Sequence, residues 1–467
     1  MESSTRNQLQ CLPGVDKVLE HERIRACLKS CPRKAAVDAI RRLTDQARAE
    51  ILSGKLSADK EQIAERIVHD AAAEMDRFAK PYYQRVVNAA GIVLHTGLGR
   101  AVLPEAAMKQ IAEELAGYSL LQVGLADGMR SRRDERIEQL LQMLTGAEAA
   151  TIVNNNAAAT ALVLNTIAAG QEVIVSRGQL VEIGGSFRLP EVMAFSGAKL
   201  VEVGTTNKTH LRDYENAITE NTAAILRVHP SNYRIQGFTS EVPLKEMVEL
   251  AHARGLVVFD DVGAGSLVDF SRFGFDKEPT LIESVQAGAD VITSSGDKLI
   301  GATQAGIVLG RKEIIQRVRK NQFARIVRVD KFTLAALEAT LKIFLDEEKA
   351  LQEVPTLRML LRDVDSIRRQ ALRLAGAIRR ACPNARVETC DGFSEVGSGS
   401  LPAQTMPTRL TAVSCDKLSS MEIARRLRQY RTPVFARICD ERVMLDPRTL
   451  LDGDERIIVD ALTEILG

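Results

Sequence analysis

Between Pro81 and about residue 310 the chain alternates short apolar runs with helical stretches, and this alternation limits the possible folds more than any other feature. The runs occupy residues 173–175, 199–203, 223–228, 256–259, 289–292 and 305–310. They are short and largely apolar, which is the pattern of buried strands. Buried strands separated by helices imply an α/β fold with a mainly parallel sheet covered on both faces. Ligands then gather beyond the carboxyl ends of the strands.

The flanking regions have a different texture. Residues 1–80 read as a separate helical domain. Ala36, Val37, Ile40, Leu43, Ala47 and Ile51 keep helical spacing, and so do Ile63, Ile67, Ala71 and Met75. Ser53-Gly54 separates these two helices. Residues 81–350 read as a large α/β domain, closing with a long helix over 331–350. Residues 351–467 read as a smaller α/β domain with a basic helix around Arg368–Arg380 and a Gly/Ser loop at 397–400. A chain of 467 residues supports two or three such domains.

Composition removes several function classes. The formal charge is +1, so any nucleic-acid surface must be a local patch. There is no Trp, and aromatics are 4% of residues, which argues against a stacking platform for single strands. Residues 1–80 carry 15 Lys/Arg against 13 Asp/Glu, with a local excess at Arg33, Lys34, Arg41, Arg42 and Arg48. That excess is either a solvated helix face or a phosphate-contacting surface. The seven cysteines are scattered without zinc spacing and read as free thiols in a reducing compartment, with no metal site. No apolar run approaches the roughly 18 residues of a spanning helix, and no apolar leader precedes Leu12, so a cytoplasmic protein without membrane contact is expected.

Lys298 is oddly placed for a lysine. It lies in the small-residue turn Ser294-Ser295-Gly296-Asp297-Lys298, between two apolar runs. It is either a lysine at the rim of a turn or a desolvated amine that forms a Schiff base with pyridoxal phosphate. Three other features favour the second reading. Asn155, Asn156 and Ala157 open an Ala-rich helix whose N-terminus suits a phosphate, although an Asn helix cap explains them too. Asp261 ends a strand, where a carboxylate can keep a pyridinium nitrogen protonated. Asp260 is its rival, and Gly263-Ala264-Gly265 favours Asp261 by leaving room for a ring. His229-Pro230-Ser231-Asn232 ends another strand, and Asn232 suits the cofactor's phenolic oxygen, although a plain turn would do. Phosphate loop, strand-end Asp and Lys follow one another in the order a pyridoxal-phosphate enzyme needs. Arg317, Arg319, Lys320, Arg325, Arg328 and Lys331 stand against Asp330 alone, as a phosphate-binding run or a solvated helix end.

The same residues carry a resemblance over nearly the whole chain. Leu12 to Lys17, Val87 to Gly91, His95 to Arg100, Leu144 to Ala150 and Val153 to Ala159 match the bacterial selenocysteine synthase family, the L-seryl-tRNA(Sec) selenium transferases. Val175 to Gly178, Val181 to Arg188, Val203 to His210, Ser295 to Leu299, Arg328 to Lys331 and the Gly/Ser loop before Leu401-Pro402 continue the match. The resemblance implies a pyridoxal-phosphate transferase of fold type I with a seven-stranded-type sheet. It implies conversion of seryl-tRNA(Sec) to selenocysteinyl-tRNA(Sec) with selenophosphate. Lys298 would hold pyridoxal phosphate. Arg100, Arg325 and Arg328 would form the selenophosphate pocket, with Thr205 and Thr206 near it. The N-terminal domain would grip the tRNA, and the assembly would be a homodecamer, a ring of dimers.

Departures from the family pattern occur at Leu120 to Gln122, where the family usually shows an Asn and a Glu after Tyr-Ser. Others occur at Arg130-Ser131-Arg132, at Ala302-Thr303 and, mildly, at Asp261 to Gly265. The first of these departures bears on a subunit contact or on the acceptor-end pocket. The alternative function is a pyridoxal-phosphate lyase or transferase for a free amino acid or amino sugar. A cofactor-less RNA-binding scaffold is the other. Residues 1–80 argue against the small-molecule enzyme.

Overall fold

The computed structural model describes residues 8–56, 58–185, 187–402 and 404–467. Residues 1–7, at the start of the expected N-terminal domain, and Ser186, within a matching run, lie outside the described residues. The chain forms two compact units, divided between Arg85 and Val86.

The first unit contains the helices Val15–Glu20, Glu22–Cys27, Arg33–Leu52 and Lys60–Ala79. The two long ones follow the expected periodicity. Ala36, Ile40, Ala47 and Ile51 share one core with Ile63, Ile67, Ala71 and Met75. Asp59 and Gln62 close a capping box at the start of Lys60–Ala79, which fixes where that helix begins. Arg33, Lys34, Arg41, Arg42 and Arg48 are all exposed. Arg42 pairs with Glu74 and Arg48 with Asp45.

The second unit is built on a seven-stranded sheet. Its strands are β1 (Ala149–Val153), β2 (Glu172–Ser176), β3 (Lys199–Val203), β4 (Thr222–Val228), β5 (Val257–Asp261), β6 (Val291–Ser295) and β7 (Gly306–Gly310). Their order is β1-β7-β6-β5-β4-β2-β3. The pairs β2–β3, β2–β4, β4–β5 and β5–β6 are parallel, and β7 runs antiparallel to both β1 and β6. The reason is chain length. Residues 296–305 are too few for a crossover of a dozen or more, so β7 must turn back beside β6. Six of these strands are legible as apolar runs. β1 is not, because Ala149-Ala150-Thr151-Ile152-Val153 opens with two alanines, which are weak strand formers.

The long helix expected over 331–350 is two helices, Lys331–Ile343 and Glu347–Glu353. Asp346 Oδ1 accepts from Lys349 N at 3.1 Å, and this cap starts a new helix where periodicity alone suggests continuation.

A second sheet contains Ala385–Glu395, Thr405–Cys415, Arg442–Leu445, Val434–Cys439 and, at its edge, Val87–Ala89. Val87–Ala89 pairs in parallel with Val434–Cys439. The expected boundary assigned this segment to the large domain; its hydrogen bonds place it in the smaller sheet. Val93 N and Leu94 N then donate to Glu395 O (3.0 Å) and Val396 O (2.7 Å). The C-terminal strands thus set the course of residues 91–100.

A buried polar cluster anchors this arrangement. Asp446 accepts from Ser394 Oγ (2.7 Å), Thr408 Oγ1 (2.9 Å) and Arg448 N (3.0 Å), and its own N–H donates to Ala89 O (2.9 Å). Gly91 adopts φ +72°, and a Cβ there would meet Asp446 Oδ2 at 2.0 Å, so only glycine fits. Arg448 donates to Met359 O at 3.0 Å and Pro407 O at 2.6 Å. Removing the carboxylate leaves Ser394, Thr408 and Arg448 short of acceptors. Asp446→Ala is expected to destabilise the second unit by about 3–5 kcal/mol, as when a buried charge network loses one partner. The shift of the urea-unfolding midpoint measures this, and a loss under about 1 kcal/mol would show that the cluster is dispensable.

Candidate active site

Lys298 is only 7% exposed. It follows β6 in a turn closed by its own backbone. Gly296 N donates to Ala305 O (2.8 Å), Gly301 N to Lys298 O (2.9 Å) and Ala302 N to Gly296 O (2.9 Å). Leu299, Ile300 and Ala302 are buried beside it. Burial pushes the amine's pKa down, and the positive charge of Arg100 pushes it further; Asp297, Asp261 and Glu278 oppose this. The structure therefore excludes the turn-rim reading: this is a desolvated amine facing both signs of charge.

β5 separates the two candidate carboxylates, because successive residues point to opposite faces. Asp260 turns to Arg227 Nη1 (3.0 Å) and Ser284 Oγ (2.7 Å). Asp261 turns toward the helix Asn156–Ala168, accepting from Asn156 Nδ2 (2.8 Å) and Thr160 Oγ1 (2.9 Å). Burial raises the Asp261 pKa, and these hydrogen bonds hold it back. Thr160 was not singled out from sequence. Its signal is the four-residue spacing from Asn156, which puts both side chains on one helix face.

Asn155, Asn156 and Ala157 divide their tasks. Asn155 Oδ1 caps the helix by accepting from Ala158 N at 2.9 Å. Asn156 holds Asp261. Ala157 is exposed in the first turn, where free N–H groups and the helix dipole favour an anion.

Asn232 departs from expectation. It is exposed, and its Nδ2 donates to Glu182 O at 2.8 Å. Its neighbour Ser231 is buried with an unpartnered Oγ, and Asn156 Oδ1 is likewise unpartnered. A Cβ added at Gly263 would lie 3.8 Å from Asn156 Nδ2, 3.9 Å from Ser231 Oγ and 4.0 Å from Asp261 Oδ1. These polar groups thus surround a space that glycine keeps open. A buried amine, a strand-end carboxylate, a small-residue helix N-terminus and orphaned polar atoms fit pyridoxal phosphate.

The proposed anion-binding residues do not converge within one chain. Arg100, at φ +61°, donates through Nη1 to Asp297 Oδ2 at 2.7 Å. It lines a cavity of about 490 Å³ with Thr96, Asp297, Thr303 and Gln304, so the Ala302-Thr303 departure lies in that wall. Arg325 and Arg328 line a different cavity of about 350 Å³ beside β1. Thr205 and Thr206 follow β3, the edge strand, four strands from β6, or about 19 Å at the usual strand spacing. Thr205 Oγ1 is taken up by Lys208 O at 3.0 Å. The charge run at 317–331 also divides: Arg319 binds Asp134 and Glu138, while Arg325 and Arg328 are exposed.

The depressed Lys298 pKa has a measurable consequence. Its neutral, reactive form grows as pH rises, and the midpoint should lie below the ordinary lysine value. Arg100→Gln removes a neighbouring cation and leaves Asp297 unpaired, and both changes favour the ammonium. Trapping by a small aldehyde with borohydride, located by peptide mapping, should label Lys298. In Arg100→Gln its midpoint should move to higher pH. A midpoint that stays put or falls would remove Arg100 from the electrostatics of this amine.

A family model described as L-seryl-tRNA selenium transferase matches residues 86–451, and one described as selenocysteine synthase N terminal matches residues 10–48. The L-seryl-tRNA(Sec) selenium transferase of Clostridium botulinum (strain Okra / Type B1) is 44% identical over 458 residues, covering 98% of both chains. That of Nitratidesulfovibrio vulgaris is 48% identical over 437 residues, 93% of both. Among solved structures, D-glucosaminate-6-phosphate ammonia-lyase aligns with a TM-score of 0.53 at 21% identity, covering 82% of this chain and 96% of that one, a likeness of fold. On the match of both models and of relatives along nearly its whole length, this chain belongs to the L-seryl-tRNA selenium transferase family.

Proposed function

We propose that this protein converts L-seryl-tRNA(Sec) to L-selenocysteinyl-tRNA(Sec), using pyridoxal phosphate and taking selenium from selenophosphate. The observation that carries the chemistry is the buried Lys298 amine facing Asp261 in a chain of this family. Pyridoxal phosphate, when bound, supplies an electron sink for charge developing at the seryl α-carbon. Lys298 would hold it, and its amine would take the proton from that carbon and return one. Asp261 would keep the cofactor's ring nitrogen protonated, with Asn156 and Thr160 orienting its carboxylate. Asn155 and Ala157 present the helix N-terminus to the phosphate. Ser231 suits a polar contact to the cofactor better than Asn232, because its hydroxyl is buried and unpartnered.

Arg100, Arg325 and Arg328 receive selenophosphate, and Thr205 and Thr206 belong near the same reaction space. Their separation in one chain supports a homo-oligomer in which a second copy completes the site, as in a ring of dimers forming a decamer. Exposed Tyr118, Leu120, Leu125 and Met129 support a subunit contact at the departing loop. The N-terminal helical unit holds the tRNA body, with Arg33, Lys34 and Arg41 on its exposed face. The free thiols of Cys27, Cys31, Cys382, Cys390, Cys415 and Cys439 support a reducing, cytoplasmic setting. No helix among the described residues is long and apolar enough to cross a membrane.

Incubation of the purified protein with seryl-tRNA(Sec) and selenophosphate tests the reading. The expected product is selenocysteinyl-tRNA(Sec). Deamination of a free amino acid or amino sugar without any such product would favour the lyase alternative.

Asp261→Asn should retain some cofactor and lower turnover on the order of 10²–10⁴-fold, the range for losing a positioned proton-holding group. Asp260→Asn should act on stability instead, because it meets Arg227 and Ser284. Equal turnover in Asp261→Asn and wild type would exclude the carboxylate from the chemistry.

Removing residues 1–80 should weaken tRNA binding about 100-fold or more and flatten its dependence on salt, because phosphate contacts release counterions. The visible spectrum of the bound cofactor should survive. Undiminished binding by the shortened protein would assign those helices to assembly.

A further inference from the structure

The cavity beside β1 has an unusual charge balance. Arg133, Arg319, Lys320, Arg325 and Arg328 line it against one carboxylate, Asp134. That carboxylate is already engaged: its Oδ2 accepts from Thr151 Oγ1 at 2.7 Å and from Arg319 Nε and Nη2 at 3.2 and 3.1 Å. Arg325 and Arg328 make no ion pair or side-chain hydrogen bond among the described residues.

Arg133 was not singled out from sequence, and its setting differs from theirs. It is half-buried and held at two points. Nη1 donates to Val329 O at 3.0 Å, and Nη2 donates to Gln122 Oε1 at 2.7 Å. Both acceptors are neutral. They fix the plane of the guanidinium without cancelling its charge. Burial and the like charge of Arg328 work against the protonated form of Arg133; Asp134 opposes this, and Arg325 and Arg130 add to it, with the net direction downward. Such an arrangement is unfavourable alone and becomes favourable when an anion enters. Three guanidinium forks suit a tetrahedral dianion, since each can offer paired N–H donors to its oxygens.

We propose that Arg133 completes an anion site with Arg325 and Arg328 inside a single chain, and that Gln122 orients it while leaving its charge available. The ligand class is a phosphate group. Naming its source rests on the selenium-transfer reading: the phosphoryl group of the selenium donor or the backbone of the tRNA. Gln122 lies in the stretch that departs from the family pattern, so this loop tunes the strength of the site through one neutral acceptor. Arg133 binds the anion; Gln122 is a positioning residue.

The test uses the full-length holoenzyme and inorganic phosphate, with binding measured by calorimetry. Gln122→Glu is nearly isosteric and gives Arg133 a fixed counter-charge. It should raise the phosphate Kd about tenfold or more. Arg133→Gln should shift it the same way, and Arg133→Lys should recover part of the loss. An unchanged bound-cofactor spectrum checks that each variant is folded. A phosphate Kd the same in Gln122→Glu, Arg133→Gln and wild type overturns the proposal, and so does the absence of phosphate binding by the wild type. The source follows from two further readings. A rise in KM for selenophosphate with unchanged seryl-tRNA affinity assigns the donor. Weakened tRNA binding with a salt slope shallower by about one assigns the backbone. Phosphate binding is read without turnover, so a failure of the transfer reading would leave this result standing or falling by itself.

Discussion

Taking the Lys298 amine out of water is the constraint on which the site depends. An ammonium buried alone is strongly unfavourable, so the group either finds compensating charge or gives up its proton. Here burial lowers the amine's pKa, and charge of both signs acts on it. Arg100 opposes the charged form, whereas Asp297, Asp261 and Glu278 favour it. The Arg100–Asp297 ion pair at 2.7 Å is therefore more than a local contact. Arg100 acts on two groups at once, on Asp297 as its ion-pair partner and on Lys298 as a neighbouring like charge.

This double role requires Arg100 to be held in place, and the smaller sheet holds it. Val87–Ala89 is an edge strand of the C-terminal sheet, although almost three hundred residues separate it from the other strands. Asp446 and Thr449 grip the turn after it: Thr449 Oγ1 accepts from Gly91 N at 3.2 Å. Farther along, Ser398 Oγ donates to Leu94 O at 2.6 Å and lies 2.8 Å from Thr96 Oγ1. The Gly/Ser loop thereby braces the segment that delivers Arg100. A long-range contact of this kind converts the stability of the C-terminal core into precision at the site.

Two arginine groups, rather than one, follow from this geometry. Arg100 belongs to the lysine turn. Arg325 and Arg328 belong to the cavity beside β1, where Arg133 joins them. The family resemblance groups Arg100 with Arg325 and Arg328, whereas in a single chain they line different cavities. In a single chain the two groups are thus separate sites, each with its own lining.

The sequence by itself determined the periodic features of this protein. Apolar runs of strand length marked six strands of the large sheet, and helical spacing marked the two long N-terminal helices, because burial of one face imposes those periods. The small-residue turn marked Lys298, and the glycines after Asp261 favoured it over Asp260. Tertiary structure decided everything that depends on which distant groups meet. It turned Asn232 toward Glu182 and left Ser231 inside. It supplied Thr160 to Asp261, broke the expected helix at Asp346, moved Val87–Ala89 into the C-terminal sheet and set Thr205 and Thr206 at the far edge. It also fixed Arg133 with two neutral acceptors. The physical reason is common to these cases. Periodicity reports how a segment meets the boundary between core and water, whereas a hydrogen bond or an ion pair is chosen by geometry between residues whose separation along the chain leaves no local trace.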